Sequence, residues 1–252
     1  MTILRPTSIA EALHALQRED ARPMGSGFGL RARQVPGIWV DLRGLGLDTI
    51  REVSGRRVYL GATLPLGDLV AYEGRLPQGL ATLARPSVLE TSEWARATLG
   101  GALMSADGRS FLAAGMMALD ATSVWETLDG QEKVPLADVY ALRAWYTRPG
   151  RFLREVQIPI TPRLNWRFQD VDAEGCPTRF VMAARWPRGR TRLVIGGWGD
   201  APYLVFDGPN PDGWEATLAS RYQAVRPPDA SPEDWELIRA MARETLQALW
   251  GR

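Results

Sequence analysis

Apolar residues recur at Ile9, Ala12, Leu13 and Leu16, a spacing that places them on one face of a helix. In front of them Ser8-Ile9-Ala10-Glu11 has the form of a capping box, so the pattern predicts a helix over about Ser8–Arg18, with His14 at its surface or boundary. Arg22-Pro23-Met24 then reads as a short strand feeding Gly25–Leu30, and Ile38–Leu42 as a second strand after a βαβ-like crossover. Arg51–Ser54 and Arg57–Ala62 flank Ser54-Gly55-Arg56, which predicts a hairpin with a loop of three to five residues. Helical segments are expected at about Leu66–Tyr72 and Gln78–Leu83. A connector at Pro86–Arg96 leads to a glycine-rich turn at Ala97–Leu103 and a buried helix over Ser110–Leu119. Thr122–Leu128 and Arg151–Ile160 alternate as strands, with Val134–Leu142 between them.

Proline breaks the pattern at Thr161-Pro162-Arg163-Leu164, which sets the expected boundary between two domains, 1–160 and 161–252. The first is expected to have two lobes, about 1–54 and 55–160. In the second, strands at Trp166–Asp170, Phe180–Trp186, Arg192–Gly197 and Tyr203–Phe206 precede helices at about Trp214–Val225 and Ser231–Trp250. The last helix has Ser231 as N-cap, Pro232 at the first helical position and acids in its first turn. The fold class is α+β, with an antiparallel sheet and helices in the smaller C-terminal domain.

Composition narrows the chemistry. The net charge is +1 with no basic block, which argues against a nucleic-acid partner, and no apolar run has transmembrane length. No N-terminal signal pattern is present, so the cytoplasm is the expected location. One cysteine, Cys176, excludes an internal disulfide and a four-cysteine cluster within this chain. It lies in a Glu-Gly-Cys-Pro turn as an incidental thiol. One histidine, His14, removes the usual general base. No catalytic residue and no metal site are therefore assigned, and chemistry by this chain alone needs a cofactor or carboxylates. Trp145, Trp166, Trp186, Trp198, Trp214, Trp235 and Trp250 are expected in cores or interfaces, and Gly196-Gly197-Trp198-Gly199 at a strand end.

Two glycine-rich motifs carry the chemistry that remains. Gly25-Ser26-Gly27-Phe28-Gly29-Leu30 and Ala97-Thr98-Leu99-Gly100-Gly101-Ala102-Leu103 each stand where an extended segment gives way to an apolar run. Glycine permits positive φ and lets N–H groups converge on phosphate, although most such turns are only turns. Two in one domain suggest a cofactor carrying a diphosphate.

With Val58–Leu69, Met117-Ala118-Leu119-Asp120-Ala121 and Glu155-Val156-Gln157-Ile158-Pro159, these motifs form a series that resembles the FAD-binding (medium) subunit of molybdenum hydroxylases. That family includes the carbon monoxide dehydrogenase flavoprotein and the xanthine dehydrogenase FAD domain. The resemblance runs over nearly the whole chain. It implies non-covalent FAD, with Gly25–Leu30 and Thr98–Ala102 at the pyrophosphate. It also implies partnership with a molybdenum-cofactor large subunit and a two-iron–two-sulfur small subunit, and electron transfer through the flavin to an external acceptor.

Several positions depart from the family pattern. Phe28 and Gly29 replace a Thr-Asp pair, Trp94 and Ala95 replace Arg-Asn, Ala102 replaces Asn, Ala106-Asp107-Gly108 replaces Ala-Ser-Pro, and Phe111 replaces an acid. At about 1 kcal/mol for each neutral hydrogen bond, losing about four weakens binding by about a thousandfold. Asp107 adds a negative charge beside the pyrophosphate, with Arg96 or Arg109 near enough in sequence to blunt it, and Phe28 or Phe111 offers a ring to stack on. Three functions follow: a flavoprotein subunit of an oxidoreductase, a scaffold or assembly subunit that has lost flavin, or a pocket turned to another nucleotide or small ligand.

Overall fold

The structure, a computed structural model, describes residues 2–27, 36–84, 96–170, 178–209 and 212–250. They pack as two compact units, one within residues 1–75, 90–105 and 121–158, the other within residues 76–89, 106–120 and 159–252.

The first unit begins with a three-stranded parallel sheet of β1 (Thr2–Leu4), β2 (Ala21–Met24) and β3 (Ile38–Asp41) in the order β1-β3-β2. The expected helix spans Ile9–Ala15, and the Ser8 hydroxyl accepts the Glu11 N–H at 3.2 Å. The Glu11 carboxylate reaches back to the N–H and hydroxyl of Thr7, at 2.7 and 3.0 Å, and these bonds hold its carboxyl below the usual range. Ala12, Leu13 and Leu16 bury against Val40, Leu42, Leu47 and Phe152, while His14 is exposed. Three exposed residues form β1, too few for a periodic signal, and the sequence reading has no strand there.

A five-stranded sheet completes the unit: β4 (Ile50–Val53), β5 (Arg57–Gly61), β6 (Thr122–Thr127), β7 (Gly130–Pro135) and β8 (Arg151–Pro159), in the order β4-β5-β8-β6-β7. The hairpin β4–β5 turns through Ser54 and Gly55, both with positive φ (55° and 62°). Ser54 therefore cannot divide two lobes, because strands on either side of it are hydrogen-bonded to each other. The change of sheet falls between Asp41 and Ile50. Strand β7 was not expected. Its residues are polar and mostly exposed, and Pro135 then opens a helix at Leu136–Ala141.

The second unit is built on the antiparallel sheet β9 (Arg163–Phe168), β10 (Phe180–Arg185), β11 (Thr191–Gly196) and β12 (Tyr203–Gly208), in simple up-and-down order. Val181, Ala183, Leu193 and Ile195 of its middle strands bury against Leu218 and Tyr222 of the helix Trp214–Val225 and Ile238, Ala242 and Leu246 of the helix Pro232–Trp250. At the start of the last helix Ser231 and Asp234 exchange N–H to side-chain hydrogen bonds at 2.9 and 3.3 Å, a capping box. The helix Phe111–Ala118 is buried along seven of its eight residues. A Cβ on its Gly115 would lie 2.2 Å from Leu83 Cδ1 and 3.4 Å from Met182 Sδ, so only glycine allows this approach.

Asp120 ends that segment in the left-handed region, φ 58°. Its carboxylate pairs with Arg190 at 2.7 Å and with buried Arg192, and Asp207 holds Arg190 through two further bonds of 2.8 and 2.7 Å. These carboxylates push the Arg190 guanidinium above its ordinary value, whereas burial pulls that of Arg192 down.

Candidate functional site

The two glycine motifs meet in the first unit. Gly25 follows β2, and an added Cβ there would lie 2.3 Å from the Thr98 hydroxyl oxygen and 2.9 Å from its methyl carbon. Gly27 turns the chain with φ 77°, which favours glycine. Gly25, Ser26 and Gly27 are all partly exposed. Phe28, Gly29 and Leu30 lie outside the described residues, as do Trp94, Ala95 and Cys176.

The second motif is a helix start rather than a free glycine turn. Residues 97–100 are stitched to the segment after β5: Leu66 N–H donates to Ala97 O at 2.7 Å, Leu99 N–H to Leu64 O at 2.8 Å and Gly100 N–H to Ala62 O at 2.8 Å. Thr98 caps the helix Leu99–Met104, its hydroxyl accepting the Gly101 N–H at 3.3 Å, and Ala102 N–H donates to Thr98 O at 2.9 Å. Gly100 is required by packing, since a Cβ would sit 2.8 Å from the Ala62 carbonyl oxygen. Gly101, in contrast, is exposed.

This arrangement corrects the picture of N–H groups converging on an anion at this motif. The N–H groups of Leu99, Gly100, Gly101 and Ala102 are all engaged within the chain. What the motif offers a phosphate is close approach, through bare Gly101 and the small side chain of Ala102, beside the Gly25–Gly27 turn. Small residues at both motifs, brought together by the Gly25–Thr98 contact, fit a bulky polar group such as a dinucleotide pyrophosphate. Neither motif carries a charged side chain of its own.

Asp107 and Phe111 belong to the second unit. Asp107 accepts the Arg109 N–H at 2.8 Å and pairs with its guanidinium at 3.1 Å, so its charge is offset locally. Gly108 is locked to the end of β11: its N–H donates to Gly199 O at 2.9 Å, and its carbonyl accepts Gly197 N–H at 2.7 Å. A Cβ on Gly108 would lie 1.6 Å from Trp198 O, which accounts for glycine in the Ala106-Asp107-Gly108 segment. Phe111 packs edge-to-face on Phe180 and Phe168, with ring centroids 4.8 and 5.8 Å apart. Its ring has aromatic neighbours inside its own unit, where the family pattern has an acid.

A polar cavity of about 220 Å³ in the first unit is lined by no residue of either glycine motif, although Gly61 and Glu155 on its wall belong to the segments Val58–Leu69 and Glu155–Pro159. Gly46, Leu47, Thr49, Arg51, Gly61, Arg154 and Glu155 line it, and Arg51 pairs with Glu155 at 2.6 Å. Gly46, Leu47 and Thr49 belong to no motif, which is why the chain pattern does not announce it. Among the described residues no group of three or more His, Cys, Asp and Glu side chains is placed to hold a metal ion, and no helix is long and apolar enough to cross a membrane.

Comparison with known proteins places this geometry. Residues 1–161 match the family described as "FAD binding domain in molybdopterin dehydrogenase". None of the curated proteins matches the sequence. Among solved structures, the chain is similar to carbon monoxide dehydrogenase of Hydrogenophaga pseudoflava in the form lacking the Mo-pyranopterin moiety of the molybdenum cofactor. That match has a TM-score of 0.79 and 20% identity, and covers 100% of this chain and 97% of the other. It is also similar to reconstituted carbon monoxide dehydrogenase of Oligotropha carboxidovorans (TM-score 0.78, 21% identity, coverage 100% and 98%). A third similar structure is quinoline 2-oxidoreductase of Pseudomonas putida 86 (TM-score 0.73, 22% identity, coverage 100% and 97%). At these identities the structural likeness establishes the fold.

Proposed function

This chain belongs to the family of FAD binding domains in molybdopterin dehydrogenases, and from that membership we propose that it is the electron-transfer flavoprotein subunit of a molybdenum hydroxylase. FAD is the cofactor that this membership assigns. When bound, it supplies one- and two-electron redox chemistry that no side chain here provides. The observation that carries the reading is the meeting of both glycine motifs at Gly25 and Thr98.

In this reading Gly25, Ser26 and Gly27, with Phe28, Gly29 and Leu30 after them, hold one side of the pyrophosphate. Thr98, Gly100, Gly101 and Ala102 form the other, Gly100 by seating the helix and Gly101 by leaving space. No residue acts as a general base, and the chain's own task is to bind, orient and shield the flavin. Its partners are a molybdenum-cofactor subunit and a two-iron–two-sulfur subunit, and its setting is the cytoplasm.

A second reading, a scaffold without flavin, is favoured by the internal engagement of the N–H groups of residues 99–102 and by Ala102 in place of an amide side chain. An absorption spectrum of freshly purified protein separates the two. A flavin band near about 450 nm, with close to one FAD released per chain on heating, supports the flavoprotein. Colourless protein that fails to bind added FAD at high micromolar concentration supports the scaffold.

A further inference from the structure

All three strands of the first sheet run parallel, so their carboxyl ends open on one edge. Three segments leave that edge: Arg5-Pro6 from β1, Gly25–Gly27 from β2 and Leu42–Gly44 from β3. The space outside the carboxyl ends of parallel strands is where open sheets of this kind receive ligands. Register fixes how the segments lie. Met24 stands opposite Asp41, and the Leu42 N–H donates to Met24 O at 2.9 Å, so the Gly25 turn starts beside Leu42 and Arg43. On the other flank Leu4 stands opposite Val40, and a Cβ on Gly44 would lie 3.6 Å from Pro6 O. β1 and β2 flank β3 and are therefore about 10 Å apart, a span that an arginine side chain and a diphosphate cover together.

Buried Asp41 gathers two cations at this edge. It takes Arg43 in a two-pronged contact at 2.9 and 2.7 Å. Arg5 lies 3.9 Å from the same carboxylate, beyond hydrogen-bond length, with a side chain 75% exposed. Among the described residues Arg5 has no other carboxylate within ion-pair distance. Glu11, the next acid along the chain from β1, is taken up by the N–H and hydroxyl of Thr7. One carboxylate thus draws two guanidiniums to the edge and is hydrogen-bonded to only one of them. A guanidinium binds phosphate oxygens through charge-assisted, often paired hydrogen bonds. That is the group both glycine motifs lack.

We propose that Arg5 and Arg43, gathered by Asp41, are the cationic contacts for the dinucleotide's pyrophosphate beside the Gly25–Gly27 turn. This rests on the reading of the chain as an FAD-binding subunit. The glycines let the phosphates approach, and the arginines of the two neighbouring strands supply the opposite charge. Asp41 holds Arg43 in place and leaves the Arg5 guanidinium open to a phosphate oxygen.

The test is titration of the full chain, stripped of flavin, with FAD at low and high salt. Wild type, Arg5→Gln, Arg5→Lys and Arg43→Gln are compared, each first checked for native circular dichroism. Arg5 is exposed, so Arg5→Gln keeps its fold and decides the matter even if Arg43→Gln does not. The expected result is a loss of about tenfold in FAD affinity for each glutamine variant at low salt, with Arg5→Lys within a few-fold of wild type. The gap should narrow at high salt, where the charge is screened. Glutamine variants that bind FAD as wild type does would overturn the proposal and leave the flavoprotein reading intact. A loss of equal size at every salt concentration gives the arginines a structural part only, which also overturns it. Wild type that binds no FAD at high micromolar concentration sinks the flavoprotein reading and the proposal with it.

Discussion

Gly25 and Thr98 are pressed together so closely that a methyl group on Gly25 would come within 2.3 Å of the Thr98 hydroxyl oxygen. That oxygen already accepts the Gly101 N–H. One atom therefore seats the first glycine turn and caps the helix of the second. Gly25→Ala is expected to push the two motifs apart, at a stability cost of about 1–3 kcal/mol, as for overpacked cores. FAD content should fall more steeply than stability does. Thr98→Ser keeps the cap and should keep flavin, while Thr98→Val loses it at a cost of about 1 kcal/mol. Denaturant midpoints and released FAD per chain read both quantities.

The neighbouring glycines should separate stability from binding. Gly100→Ala drives a Cβ into the Ala62 carbonyl and should lower the melting temperature. Gly101 is exposed and meets only the Thr98 hydroxyl at 3.0 Å, and alanine gains up to about 1 kcal/mol of helix propensity there. Gly101→Ala should therefore leave the melting temperature within a few degrees of wild type. Its FAD affinity should fall at least about tenfold if phosphate approaches that backbone. Unchanged affinity in Gly101→Ala would remove this residue from the site.

Restoring the family's acid at position 111 should not rescue binding. Phe111 is the meeting point of Phe168 and Phe180, and a carboxylate there loses both ring contacts and faces apolar neighbours. Phe111→Asp is expected to destabilise by about 2–4 kcal/mol with no gain in FAD affinity, whereas Phe111→Leu costs less than half as much. Thermal unfolding and FAD titration check the pair.

Acid sensitivity should trace to Asp41. Its buried carboxylate accepts the Arg43 N–H at 3.1 Å and a two-pronged guanidinium contact at 2.9 and 2.7 Å, which hold it below its ordinary value of 3.8. A carboxylate with a lowered folded pKa stabilises above the unfolded value and loses that contribution as pH falls through the folded one. Because the Arg43 guanidinium is half-exposed, the contribution is about 1 kcal/mol at neutral pH. Wild type should exceed Asp41→Asn by that margin at pH 7, and the gap should close below about pH 4 when urea unfolding is followed against pH.

Much of the architecture is legible in the chain because periodicity reports it directly. The helices Ile9–Ala15, Trp214–Val225 and Pro232–Trp250 and the strands β10, β11 and β12 fall where apolar spacing puts them, whereas β9 starts at Arg163, inside the segment read as a break. β1 escapes notice because it is three exposed residues paired with distant β3, and β7 because it is a mostly polar edge strand whose pairing with β6 leaves no apolar period. The hairpin at Ser54 is visible in sequence, yet its consequence for the lobe boundary is not, since pairing across a turn is a tertiary fact. At the site, the glycines announce themselves but not their separate duties. Gly25 and Gly100 answer to Thr98 and Ala62, residues far from them in sequence, and Gly108 answers to Trp198. The engagement of the N–H groups of residues 99–102 depends on carbonyls at Ala62 and Leu64, which no local pattern reveals.

The stitching of residues 97–100 to residues 62–66 also sets an order of events during synthesis. The carbonyls that seat the Thr98 helix continue from β5, and β5 lies beside β8 in the sheet, with the Ala62 N–H donating to Arg154 O at 2.8 Å. A nascent chain that has made both glycine motifs, but not yet the strand ending at Pro159, lacks the strand that fixes their seat. Contacts this far apart in sequence form late, after their loop-closure cost is met. The Thr98 helix is thus expected to find its seat only once the ribosome has passed β8, and a truncated product ending before it should lack that seat.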